Sequence, residues 1–201
     1  MQGQLTLVLG GARSGKSDFA LGLAARTGGP VLFVATLEPL DEEMHIRIER
    51  HRRARPRSWR TLEASLTVVE ALRAQARPAE TVLLDCLTLW VNNLLQARLP
   101  SDPAPAEAEA TQAHVLDAVD GLLRWQEGAS VSLIVVSNEV GTGLVPPSPL
   151  GRLYRDVLGL ANQRVAARAQ KVYYLVAGLA LELKTLGARP FDRSGPAFEA
   201  P

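Results

Sequence analysis

One cysteine, 5% aromatic residues and no excess of either charge mark what this 201-residue chain has little of. Cys86 has no second cysteine with which to close an internal disulfide, and its apolar setting fits a structural thiol in a reducing compartment. Twenty-two basic against twenty-one acidic residues leave a formal charge of +1, so no global field recruits nucleic acid or an anionic membrane. No apolar run approaches the roughly eighteen residues of a membrane span. Met1-Gln2-Gly3-Gln4 leads into a strand-like segment without a charged-then-apolar leader, so a cytoplasmic protein with no stable membrane insertion is expected. What is present, 47% hydrophobic and 21% charged residues, is the balance of a globular α/β domain.

Short apolar runs alternate with longer amphipathic stretches, the pattern of a mainly parallel sheet flanked by helices. Leu5 to Leu9, Val31 to Ala35, Val82 to Asp85, Val131 to Ser137 and Val172 to Val176 are the expected strands. Helical patterns cover Lys16 to Arg26, Asp41 to Arg53, Leu66 to Gln75, Thr88 to Ala97, Ala106 to Gln126 and Leu153 to Gln170. Pro100, Pro103 and Pro105 mark a loop over Leu99 to Ala106, and Pro146, Pro147 and Pro149 mark a second one. Residues 1–184 read as a single catalytic domain, with 185–201 a Gly- and Pro-bearing extension that is expected to fray.

Gly10-Gly11-Ala12-Arg13-Ser14-Gly15-Lys16-Ser17 fits the pattern G-x-x-x-x-G-K-S/T, between an apolar strand and a helix. In such a P-loop, glycines let successive amides converge on phosphates while the helix directs its positive end there. Lys16 reaches the β- and γ-phosphates, and the Ser17 hydroxyl binds magnesium. The metal needs an acidic partner at a neighbouring strand end, and Val82-Leu83-Leu84-Asp85 supplies one. Asp85 has a second reading, as a cap of the helix that starts near Thr88. Beside a P-loop the metal role is the stronger. Ser137-Asn138-Glu139, which follows a buried run directly, is expected to face the same site.

The segment from Asp41-Glu42-Glu43 to Arg55-Pro56 opens on acids and closes on arginines, complementing a helix macrodipole. Yet Arg47, Arg50, Arg52, Arg53 and Arg55 crowd around His51, a cluster suited to polyphosphate. Neighbouring cations also keep an imidazole nitrogen unprotonated and nucleophilic at neutral pH. His45 and His114 read as surface or structural residues.

Together these segments resemble the bifunctional adenosylcobinamide kinase/adenosylcobinamide-phosphate guanylyltransferase family. Besides the P-loop, the likeness rests on Ala35-Thr36, the acid-to-arginine segment, Trp59-Arg60-Thr61-Leu62-Glu63 and Asp85-Cys86-Leu87-Thr88. It continues through Ser137 to Pro146, Leu150-Gly151-Arg152, Tyr154-Arg155-Asp156, Asn162-Gln163 and Val176-Ala177-Gly178-Leu179. The resemblance implies a RecA-like P-loop NTPase fold and two reactions in cobalamin nucleotide-loop assembly. A nucleoside triphosphate first phosphorylates the aminopropanol hydroxyl of adenosylcobinamide. A histidine then becomes guanylylated by GTP and passes GMP to the phosphorylated cobinamide, giving adenosylcobinamide-GDP.

By the same resemblance, His51 is the guanylylated residue. Gly10 to Ser17, Ala35, Thr36, Leu37, Arg52, Arg53, Ala54, Arg55, Glu63 and Asp85 contact nucleotide, either GTP or ATP, with Ser17 and Asp85 on magnesium. Glu63 is open to reading guanine or binding metal; a helix-start glutamate is its plainer role. A homo-oligomer is expected from the family. Two other functions compete: a P-loop small-molecule kinase in which His51 and its arginines only clamp phosphates, and a RecA-like ATP-binding switch module.

Overall fold

The computed structural model describes residues 3–37 and 55–190. β1 (Leu5–Gly10) is an apolar run that turns through residues 11–15 into α1 (Lys16–Ala25). There follow β2 (Val31–Ala35), β3 (Arg60–Glu63), α2 (Val68–Gln75), β4 (Thr81–Asp85) and α3 (Leu87–Gln96). The remainder is α4 (Pro105–Gly128), β5 (Ser132–Asn138), α5 (Pro149–Arg168), β6 (Lys171–Val176) and β7 (Leu179–Glu182).

Among the described residues, seven strands form one sheet in the order β3-β2-β4-β5-β1-β6-β7, parallel throughout except for β6 against β7. Burial on both faces explains why the strands read as continuous apolar runs. Along β4, Val82 and Leu84 belong to one buried cluster and Leu83 to the other. α1 lays Ala20 and Ala24 on the Leu83 face, both fully buried, and their small side chains let the helix sit close. Trp90 of α3, Leu122 and Leu123 of α4, and Val157 and Leu158 of α5 fill the other side. Trp90 keeps its polar handle satisfied by donating Nε1–H to the Leu66 carbonyl at 2.9 Å. A buried Glu80 carboxylate accepts from Arg60 and from the Arg77 amide, each at 2.8 Å, and ties the entrance of β4 to β3.

All five expected strands and the helices that fall on described residues are present, and two further strands, β3 and β7, form the edges of the sheet. Both proline-marked loops are shorter than expected, because Pro105 and Pro149 occupy first-turn positions of α4 and α5. Proline is at home there: the missing amide hydrogen has no intrahelical acceptor in any case. The expected helix from Asp41 to Arg53 lies outside the described residues. The start of the C-terminal extension is tied down, with the Leu186 amide on the Glu182 carbonyl and Ala188 on Leu183. No helix among the described residues is long and apolar enough to cross a membrane.

Candidate active site

β1 ends at Gly10, and the next five residues form a tight loop with Arg13 (φ 56°) and Gly15 (φ 91°) in the left-handed region. Gly10 must be glycine, since a Cβ there would lie 2.4 Å from Ser14 Oγ and 2.7 Å from the Leu175 carbonyl oxygen. Gly15 is the N-cap of α1 and no side chain caps the helix, so its first-turn amides stay directed at the loop's concavity. Lys16 Nζ donates to the Gly11 carbonyl at 3.0 Å and lies over the loop it must serve. Ala12 and Arg13 are exposed, whereas Ser14 is buried with its Oγ lacking a hydrogen-bond partner among the described residues.

Register aligns the carboxyl ends of the neighbouring strands. Ala35 pairs with both Glu63 and Asp85, Asp85 with Val136, and Gly10 with Asn138. Side-chain alternation puts Asp85 on the same face as Leu83, which is the α1 face. The N-cap position of α3 falls on Cys86, not on Asp85. Burial first and the Asp85 charge second push the Cys86 thiol up to about 12, with Lys16 pulling the other way. Cys86 is therefore a protonated packing residue, as its apolar setting led one to expect.

Thr36 is fully buried, and its hydroxyl donates to the Cys86 carbonyl at 2.8 Å while accepting the Cys86 amide at 2.9 Å. Asn93 Nδ2 donates to the Thr36 carbonyl at 2.8 Å. Thr36 thus fixes the ends of β2 and β4 to each other, and Ala35 and Leu37 flank it half-buried. Glu63 stands at the end of a strand, not the start of a helix. Nearby, the Arg55 guanidinium stacks on the Phe33 ring at 3.4 Å and donates to Thr61 Oγ1 at 3.4 Å. His51, Arg52, Arg53 and Ala54, like His45, lie outside the described residues.

Three positions to which the sequence gave no separate role support the loop. The Gly178 amide, in the β6–β7 turn, donates to the Ser14 carbonyl at 3.1 Å. Thr88 Oγ1 accepts the Asn138 amide at 2.7 Å, and Asn162 Nδ2 donates to the Asn138 carbonyl at 3.0 Å. Gly178 (φ 81°) follows Ala177 (φ 51°), and an Ala-Gly pair is a weak version of the turn signal that Asn-Gly gives. A cavity of about 550 Å3 lies elsewhere, between α5 and residues 183–190 with Leu160, Val172 and Pro190 in its wall, and takes in none of these residues.

Residues 6–183 match the family described as cobinamide kinase / cobinamide phosphate guanyltransferase. Over 178 residues the chain is 43% identical to the bifunctional adenosylcobalamin biosynthesis protein CobP of Pseudomonas aeruginosa, spanning 89% of this chain and 96% of that one. The bifunctional adenosylcobalamin biosynthesis protein CobU of Escherichia coli K12 is 39% identical over 181 residues, 90% of this chain and 99% of its own. Its counterpart in Salmonella typhimurium is 38% identical over the same shares. With a phosphate loop, an acidic strand end and a matching sequence from β1 to the end of β7, the chain belongs to the cobinamide kinase / cobinamide phosphate guanyltransferase family.

Proposed function

We propose that this one chain performs both reactions of its family on adenosylcobinamide, with the loop from Gly10 to Ser17 serving phosphorylation and His51 serving guanylylation. The observation that carries this reading is the tight turn from Gly10 to Gly15 into an α1 N-terminus that bears no side-chain cap, with Lys16 Nζ folded over the turn onto the Gly11 carbonyl. Neither a switch module nor a kinase without guanylyl transfer is favoured by relatives named as bifunctional.

In the first reaction the substrate hydroxyl attacks the γ-phosphorus of GTP or ATP. The loop amides and Lys16 hold the phosphates and offset charge on the oxygens. In the second, an imidazole nitrogen of His51 attacks the α-phosphorus of GTP and pyrophosphate leaves. A phosphate oxygen of adenosylcobinamide phosphate then attacks that phosphorus, forming adenosylcobinamide-GDP and freeing the histidine. Arg52, Arg53 and Arg55 are placed to bind phosphate, Ala35, Thr36, Leu37 and Ala54 to line the nucleotide, and Glu63 to accept N–H groups of guanine. Arg55 and Glu63 belong to the same end of the sheet, around β2 and β3, which supports a shared binding region.

Ser17 and Asp85 fit magnesium. Both are oxygen donors, and magnesium takes few protein ligands, keeping waters and phosphate oxygens in the rest of its shell. When bound, the ion would neutralise charge on the β- and γ-phosphates.

For the corrinoid we assign the loop from Val140 to Pro146 and the stretch Arg152 to Asp156. Arg152 supports this by donating to the Pro146 and Pro147 carbonyls at 3.2 and 2.7 Å, which joins the two pieces, and Leu144 is 97% exposed. The protein works in the cytoplasm as a homo-oligomer in this reading. Val176, Leu179 and Leu181, exposed on the β6–β7 hairpin, support association of copies. Residues 1–184 form the single catalytic domain, apart from the extension 185–201.

The deciding experiment is incubation with magnesium and GTP labelled at the α-phosphorus, beside His51→Ala. Acid-labile, base-stable label on the parent and none on the variant establishes the guanylyl-histidine. No label on a parent that binds GTP removes the guanylyltransferase half.

A further inference from the structure

Phosphorylating an alcohol requires a group to take the hydroxyl proton as the oxygen meets the γ-phosphorus. Among the described residues, Glu63, Asp85 and Glu139 are the carboxylates at or just past the carboxyl ends of the parallel strands. Strand order separates them. Glu63 of β3 is four strand spacings from β1, about 19 Å, and Asp85 of β4 is two spacings away, about 10 Å. Glu139 follows β5, the immediate neighbour of β1, and its amide donates to the Gly10 carbonyl at 3.1 Å. Its backbone therefore touches the first residue of the phosphate loop.

The Glu139 side chain is also held. One oxygen, Oε1, accepts the Gly141 amide at 2.6 Å, while the other makes no hydrogen bond among the described residues. A Cβ at Gly141 would lie 2.9 Å from Oε1, so a glycine there lets the carboxylate rest against the loop. The strand end behind it is held from α3 by Thr88 and from α5 by Asn162. Such bracing keeps a group in place at the moment of reaction.

We propose that Glu139 is the general base of the phosphorylation reaction. The inference rests on the assignment of that reaction to the Gly10–Ser17 loop. As the substrate oxygen bonds to the γ-phosphorus, the bond from that phosphorus to the bridging β–γ oxygen breaks and the nucleoside diphosphate leaves. The hydroxyl proton passes to the open carboxylate oxygen of Glu139 and then to water. Guanylylation of His51 has no such proton to remove and does not use Glu139.

The test is Glu139→Gln in the full chain, because glutamine keeps an oxygen for the Gly141 amide and loses only the basicity. Phosphorylation of adenosylcobinamide is expected to fall about 100- to 10,000-fold. Transfer of α-label from GTP to the protein, and on to supplied adenosylcobinamide phosphate, should stay close to parental. Gly141→Ala, which displaces the carboxylate without altering charge, should lower the same reaction by less and leave transfer of α-label from GTP to the protein unchanged. Phosphorylation near the parental rate in Glu139→Gln would overturn the proposal, as would parallel loss of both reactions in a variant with a parental melting curve. Glu139→Asp guards against a folding defect: it keeps the charge on a stem shorter by one methylene and should restore part of the rate lost in glutamine. A parent that labels with GTP but never phosphorylates adenosylcobinamide would instead refute the assignment of that reaction to this chain.

Discussion

The amide of Gly178 donates to the carbonyl of Ser14 at 3.1 Å, so the phosphate loop is supported by the antiparallel hairpin as well as by its own helix. Gly15 packs on the same turn, with its Cβ position 3.7 Å from Gly178 Cα. Gly178 holds φ at 81°, which a β-branched residue resists. Gly178→Val should therefore cost about 1–2 kcal/mol in a urea titration. It should also weaken GTP binding by calorimetry, whereas a substitution at exposed Glu70 should do neither.

Lys16 lies over the loop through its bond to Gly11. In the role proposed for it, Lys16 meets the transferring phosphoryl group, so in Lys16→Ala phosphorylation of adenosylcobinamide should fall about 100- to 1,000-fold. The melting temperature without nucleotide should move less than a core truncation would move it, since Lys16 is only half-buried.

Asp85 is a strand-end carboxylate one residue before the N-cap of α3. Asp85→Asn keeps its shape and removes the charge. The magnesium concentration for half-maximal phosphorylation should rise at least about tenfold, read from a metal titration at saturating nucleotide.

The Cys86 thiol holds its proton up to about 12, through burial first and the neighbouring Asp85 charge second, against 9.0 for a free thiol. Between those values the unfolded chain binds fewer protons than the folded one, so stability falls as pH rises. Denaturation midpoints measured from pH 8 to pH 11 should decline, and Cys86→Ala should flatten part of that decline. Iodoacetamide at pH 8.5 should modify the thiol only after unfolding.

The sequence makes the P-loop legible because eight consecutive residues must each suit one backbone path, and β1 and α1 flank them in their proper order. Asp85 is legible for a similar reason, at the end of three apolar residues. β3 is not: Arg60-Thr61-Leu62-Glu63 buries only Leu62, and an edge strand of four residues has neither period nor apolar length to show itself. β7 escapes on the same ground, and with it the Gly178 contact. Thr36 shows a different limit. Its place beside a nucleotide is implied by resemblance, yet the demand its buried hydroxyl meets is the backbone of Cys86, fifty residues away. A contact that distant leaves no pattern in the neighbouring residues.

The position of β1 between β5 and β6 bears on how the protein is made. This strand leaves the ribosome first, yet its partners begin at Ser132 and Lys171, and the Leu5 amide finds its acceptor on Gln170, 165 residues later. Such distant pairing is slow to form and leaves an apolar segment waiting during synthesis. A growing chain therefore has its glycines and Lys16 long before it has a phosphate site. Retention of ribosome-bound fragments on immobilised GTP should begin only once the last parallel strand has emerged.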